Sequence, residues 1–331
     1  MGITGTGSAG NTVDTEDMAK PSHKDANDGN LTRRTEESGL PRDKGFCITV
    51  PCMNSDSSPF LLPDWPAPPW VRALCTTRAG GCSHPPYEGL NLGLHVGDEP
   101  ADVRANRRAL ARAMGAEPVF VEQVHGTGVQ ELHAADAGAE CAYRVDATYT
   151  SAMGVGCAMM VADCLPVLLA HRSLPLVGAA HAGWRGLAGG VVEHLLDAMR
   201  SQARTHWPEC ATEALDAGWM AWLGPCIGPE SFEVGDEVRQ AFLETSPGAV
   251  EHFRPGAVEG KWWGDLAGLA RQRLRRQGID AVHGNDSSEC WSTTAHPERW
   301  YSYRRQNPTG RFAALVWLDA QAWDAAHPQA V

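Results

Sequence analysis

Apolar residues in this chain collect into short runs bounded by turn-forming residues, and the runs alternate with segments of helical spacing. Residues 74–77 predict a strand that runs into the turn-rich segment Arg78-Ala-Gly-Gly-Cys-Ser-His-Pro-Pro-Tyr87. Residues 100–114 predict a helix, with Pro100 at its start and Gly115 just past its end. Further β-rich runs cover residues 119–124, 146–149, 155–161, 167–170, 176–180 and 220–223, and a last strand covers 311–318. Pro166 breaks the sheet pattern after the 155–161 run. Residues 187–200 carry Val191, Leu195, Ala198 and Met199 at helical spacing, and Lys261-Trp-Trp-Gly-Asp265 opens another helix. Strands alternating with helices predict an α/β fold. No internal repeat is present.

Composition divides the chain unevenly. Residues 1–58 hold no Trp or Tyr and are rich in Gly, Ser, Thr, Asp, Lys and Asn, so they predict a disordered extension. All twelve Trp lie beyond it, from Trp65 onward, so residues 59–331 predict one folded domain. A net charge of −12 disfavours non-specific nucleic-acid binding, which needs clustered cations. The ten cysteines are scattered without a C-x-x-C pair, which predicts reduced, mostly buried thiols. With no apolar leader and no run near the ~20 residues of a membrane span, the expectation is a soluble cytoplasmic protein, monomeric or a small homo-oligomer. Met1-Gly2-Ile-Thr-Gly-Thr6 also fits the loose N-myristoylation pattern.

Three apolar runs end in a metal-capable side chain: Val-Glu-Gln-Val-His125-Gly, Met-Val-Ala-Asp163-Cys164-Leu-Pro and Val-Gly-Ala-Ala-His181-Ala-Gly-Trp-Arg185-Gly. Two imidazoles and one thiolate suit zinc, or copper, and leave a fourth position for water or substrate. Taken singly, His125 is more often structural than a ligand and Cys164 more often a core residue; the conjunction of the three is what points to a metal. The turn from His181 to Gly186 offers backbone N–H groups and Arg185 to an anion, or is simply a tight strand-to-helix turn. Arg78 is either a second anion contact or a surface charge. Asp163 suits a general acid/base, or a group that orients a ligand, provided the chain bends locally. Asp265 suits a helix cap or a ligand contact. Cys290, Tyr303, Arg304, Arg305 and Arg311 form a polar run that either packs over a site or makes a turn.

Together these motifs resemble one family, the YfiH-like or laccase-domain purine nucleoside phosphorylases. The resemblance runs from Thr76-Thr-Arg-Ala-Gly-Gly81 and Leu90-Asn-Leu-Gly-Leu-His-Val-Gly-Asp98, through Gln123-Val-His-Gly126, Ala162-Asp-Cys-Leu-Pro166 and Ala180-His-Ala-Gly-Trp-Arg-Gly186, to Leu223-Gly-Pro-Cys-Ile-Gly-Pro229 and Ser302-Tyr-Arg-Arg305. It implies an α/β/β/α layered sandwich and a zinc held by His125, Cys164 and His181. It also implies Asp163, Cys164 and Arg78 as catalytic residues, with Arg78, Arg185 and Asn91 contacting substrate or phosphate. The implied activity is phosphorolysis of adenosine, inosine, guanosine or methylthioadenosine, with adenosine deamination as a side reaction. The chain departs from the family pattern at Cys290-Trp-Ser and at Phe232, where relatives tend to have a second Cys or Tyr and a Tyr respectively.

Three other readings remain on the sequence alone. A copper-dependent polyphenol oxidase needs several coppers, yet the thirteen His never form an His-x-His pair. A Cys164 nucleophile with His181 as base would make an amide hydrolase acting on cell-wall precursors. A metal-stabilised interaction module would bind the ion without turnover.

Overall fold

The computed structural model describes residues 58–328. The extension expected over residues 1–58 and the Met1-to-Thr6 pattern therefore lie, apart from Ser58, outside the described residues.

Two sheets supply the frame. The first has five strands in the order Phe60–Leu61, Val71–Thr76, Phe312–Leu318, Val155–Val161 and Glu117–Val119. The second has six, in the order Val282–Gly284, Trp219–Leu223, Leu165–His171, Val177–Ala182, Ala147–Thr150 and Val129–Glu131. Strand periodicity divides their side chains among three cores. Cys157, Met159, Val161, Phe312, Ala314 and Val316 of the first sheet meet Leu168, Ala170, Val177, Ala179, Met220 and Trp222 of the second. The intervening residues face outward: Ala158, Met160, Ala313 and Leu315 pack under Leu110 and Met114 of the helix Pro100–Met114. On the other side, Leu165, Val167, Leu169, Ala180 and Ala221 pack under Val191, Leu195, Met199 and Ala203 of the helix Val191–His206. Gly178 permits that approach, because a Cβ there would lie 2.8 Å from Met199 Sδ and 3.1 Å from Leu195 Cδ1. The result is the α/β/β/α layering.

Four sequence expectations are revised. The run 119–124 is a strand only as far as Val119; beyond it Phe120 and Glu122 bond to residues 139–145 outside regular pairing. The helix expected over 187–200 is two, Trp184–Gly189 and Val191–His206, parted at Gly190, whose φ of +96° belongs to the left-handed region. Lys261–Gly264 is a strand in a small third sheet, and Asp265 then caps the helix Leu266–Arg276 by accepting from Gly268 N at 2.8 Å. Pro166 does not interrupt its sheet: it sits inside Leu165–His171 opposite His181, and the sharp bend falls earlier, at Asp163, with φ +99°.

Candidate metal centre and its cavity

Three separate pieces of chain deliver the ligand-type side chains. His181 lies in the strand Val177–Ala182, Cys164 directly precedes the strand Leu165–His171 paired with it, and His125 sits in a loop with φ +59°. Their ligand atoms all fall within 4.8 Å of one another. Cys164 Sγ is 3.8 Å from His125 Nε2, and the two imidazoles stand at 79° with centroids 4.8 Å apart. Zinc bonds of about 2.0–2.3 Å at tetrahedral angles place ligand atoms roughly 3.3–3.7 Å apart, so the Cys164–His125 pair already fits such an ion and the set as a whole would close by about 1 Å around it. Gly183 leaves the space clear; a Cβ there would lie 3.0 Å from both Cys164 Sγ and His125 Cδ2.

Asp146 ties the pieces together. This fully buried carboxylate accepts from His181 Nδ1 at 2.8 Å and from the backbone N–H groups of Val124, His125 and Gly126 at 3.2, 2.9 and 2.7 Å. The bond to Nδ1 leaves His181 Nε2 for the centre. Burial opposes ionisation of Asp146, but the bonds from His181 and the two amides outweigh it and hold its pKa below the ordinary carboxylate value. At Cys164 burial likewise raises the pKa, and the charge of His181 with bonds from both imidazoles brings it down to about 6. His181 moves the opposite way, to about 9, because Cys164 and Asp146 overcome the effect of burial. Without metal the pair therefore favours a Cys164 thiolate beside a protonated His181; the thiolate is the form a divalent ion requires, and the His181 proton is one that the ion would displace.

The centre opens into a cavity of about 460 Å³, a size suited to a small organic ligand. Trp184, Phe232 and Tyr303 supply aromatic wall, Arg185, Arg304 and Arg311 supply cationic groups, and His95 adds an imidazole. Asp163 also lines it, but both carboxylate oxygens are engaged: Oδ1 accepts from Thr293 Oγ1 at 2.6 Å and Oδ2 from Arg304 N at 2.7 Å. Its carbonyl accepts from Ile227 N at 2.9 Å, so Asp163 pins three loops around the cavity. Arg185 is exposed, its guanidinium 4.3 Å above the Trp184 ring.

The structure does not bring Arg78 or Asn91 to this cavity as contacts. Arg78 donates to Pro297 O at 2.9 Å, lies over the Tyr301 ring and lines a separate depression with Gly80, Gly81 and Cys82. Asn91 is fully buried; its Oδ1 accepts from Gly93 N and Arg311 N, and its Nδ2 donates to Asp98 at 2.8 Å. Cys290 is exposed beside Ser288, outside the cavity lining. Sequence reasoning passed over Asp146, Gly183 and His95. A charged residue flush against an apolar strand was the available signal for Asp146; for the other two only the fold reveals the proximity.

Residues 72–319 match the family described as multi-copper polyphenol oxidoreductase laccase. A purine nucleoside phosphorylase of Pseudomonas aeruginosa is 45% identical over 259 residues, covering 78% of this chain and 98% of that protein. The Escherichia coli purine nucleoside phosphorylase YfiH is 42% identical over 263 residues, covering 79% of this chain and 99% of its own. Among solved structures, a Neisseria meningitidis protein of the DUF152 family superposes with a TM-score of 0.70 at 41% identity, over 80% of this chain and all of that one. YlmD of Geobacillus stearothermophilus gives 0.67 at 32%, over 76% and 94%.

Proposed function

Since this chain belongs to the multi-copper polyphenol oxidoreductase laccase family, and the match spans nearly the whole length of purine nucleoside phosphorylases among its relatives, we propose that it cleaves purine nucleosides with phosphate, holding zinc at His125, Cys164 and His181. The observation that carries this reading is the junction of a three-ligand centre with a cavity that has aromatic and cationic walls. Bound there, the ion would act as a Lewis acid and would activate water for the side reaction, adenosine deamination. In the main reaction the bond between C1′ and the purine nitrogen breaks as a phosphate oxygen bonds to C1′, and positive charge builds on the ribose. The chain's part is to bind the purine between aromatic side chains, to hold the phosphate oxyanion near C1′ with fixed cations, and to exclude water that would compete as nucleophile. Asp163 serves this by fixing the Arg304 loop, a positioning role that fits its fully engaged carboxylate better than proton transfer. Adenosine, inosine, guanosine and methylthioadenosine share the purine and the ribose carbon and form the substrate set.

The test is incubation of metal-quantified protein with each nucleoside, with and without phosphate, alongside Cys164→Ala. Phosphate-dependent release of base, lost in the variant, supports the reading; turnover of none of the four by zinc-replete protein sinks it. A polyphenol oxidase is disfavoured because, among the described residues, His125, Cys164 and His181 form the one group able to hold an ion. The lowered Cys164 pKa beside His181 would also suit a thiol amide hydrolase. That reading leaves His125 without a task, and stoichiometric zinc in active protein would exclude it.

A further inference from the structure

Acidic residues outnumber lysines and arginines in this chain by forty to twenty-eight, yet the cavity beside the centre is lined by arginines and His95, with Asp163 as its one carboxylate. That carboxylate is taken up by Thr293 and Arg304. Three arginines converging on one concave site favour an anionic ligand there. Among the described residues, Arg311 is one whose guanidinium is fixed while still leaving donors free. Arg311 Nη1 donates to the carbonyls of Thr309 and Gly310 at 3.1 and 3.0 Å, which fixes the guanidinium plane. Among the described residues its Nε and Nη2 have no hydrogen-bond partner.

The backbone beneath this side chain is clamped to the loop that carries His95. Arg311 N donates to Asn91 Oδ1 at 2.8 Å, and Leu92 N donates to Arg311 O at 3.0 Å. Asn91 Nδ2 reaches on to Asp98 at 2.8 Å, so one buried amide spans the loop. The Arg311 stem lies on Gly93, where a Cβ would come within 2.9 Å of Arg311 Cγ. Burial, followed by the charges of Arg311, Arg107 and His181, pushes His95 below its ordinary pKa. Arg311 in turn lies within the electrostatic reach of Cys164 and Asp163.

We infer that Arg311 and His95, positioned by Asn91, form the phosphoryl-oxyanion subsite of the cavity, and that its occupant is free orthophosphate. The choice of ligand rests on the phosphorylase reading; the subsite itself rests on the charge reversal and the clamp. Arg78, which donates to Pro297 O and lines a different depression, is outside it. Asn91 acts through Arg311 and is a positioning residue.

Orthophosphate is titrated calorimetrically into metal-quantified, full-length protein and into R311Q, R311K, H95Q and R78Q, with thermal melts to show that each is folded. Adenosine and adenosine 5′-monophosphate are titrated in parallel. R311Q should weaken orthophosphate about tenfold or more, the size expected for one charge-assisted bidentate contact. R311K should recover part of the loss, H95Q should cost less, and adenosine should shift by less than about twofold. Unchanged orthophosphate affinity in folded R311Q and H95Q, no binding by the wild type, or a loss that follows R78Q instead would each overturn the assignment. Monophosphate binding far more tightly than adenosine through Arg311, with orthophosphate bound weakly, would overturn the choice of occupant. Orthophosphate held by Arg311 without turnover of any nucleoside would sink the phosphorylase reading and leave the subsite standing. Turnover with a phosphate KM independent of Arg311 would do the reverse.

Discussion

Asp146 receives His181 on one side and the backbone of the His125 loop on the other. Asn in its place keeps the shape but loses the charge and turns one acceptor into a donor, so D146N should weaken zinc by about 10–100-fold, measured by competition with a chromophoric chelator. Zinc affinity equal to wild type would mean that the carboxylate does not orient the ligands. Gly183 is equally exposed to test. In G183A the added methyl would press on Cys164 Sγ and His125 Cδ2, so zinc should bind about tenfold more weakly while the melting temperature of the metal-free protein changes little.

A second histidine, His171, should be felt in the pH dependence of stability. Its Nδ1 accepts from Ser173 N and Leu174 N at 3.1 and 3.0 Å in the hairpin turn, and burial holds its pKa below the ordinary 6.5. The unfolded chain therefore takes up this proton first, and stability is lost as pH falls below 6.5 and is unaffected above it. H171N, which keeps an acceptor but cannot ionise, should flatten that part of the Tm–pH curve; an unchanged slope would assign the acid sensitivity elsewhere. The grouping of His125, Cys164 and His181 as a candidate metal site was legible in the sequence because each ends an apolar run. Arg78 and Arg311 were not separable there, since both flank a strand and only the fold decides which cavity each meets.

At the scale of elements, local chemistry wrote most boundaries plainly. Pro100 and Gly115 bracket the first long helix as expected, with Gly115 in the left-handed region at φ +64°. Strand limits at 155–161 and near 220–223 and 311–318 also follow from their apolar runs. Gly190 was invisible as a break because the apolar spacing continues across it into the next helix. Asp265 tests how much one cap holds. Its Oδ1 accepts from Gly268 N and Ser287 Oγ, tying the helix Leu266–Arg276 to the loop beside Cys226. D265A should cost about 1–2 kcal/mol in chemical denaturation; a loss under about 0.3 kcal/mol would show that packing alone fixes the helix.

For the whole molecule, α/β character was legible from the alternation of runs, but the two-sheet layering came only through the family resemblance. The reason is physical. Val155–Val161 and Leu165–His171 are buried on both faces, so their sequences read as continuous apolar runs with no polar alternation to say which side meets which layer. That same double burial makes the sheets a rigid platform for a centre built from a strand, a strand end and a loop. Among the described residues no helix is long and apolar enough to cross a membrane.

The most direct test of the account uses inosine, which carries no amino group and so isolates phosphorolysis from deamination. Zinc-loaded protein is mixed with inosine and orthophosphate and followed by ³¹P NMR together with hypoxanthine release. The account predicts a ribose 1-phosphate resonance that grows mole for mole with hypoxanthine and is abolished in C164A. Hypoxanthine released with free ribose at a rate indifferent to phosphate, or no release by protein carrying one zinc per chain, would contradict it.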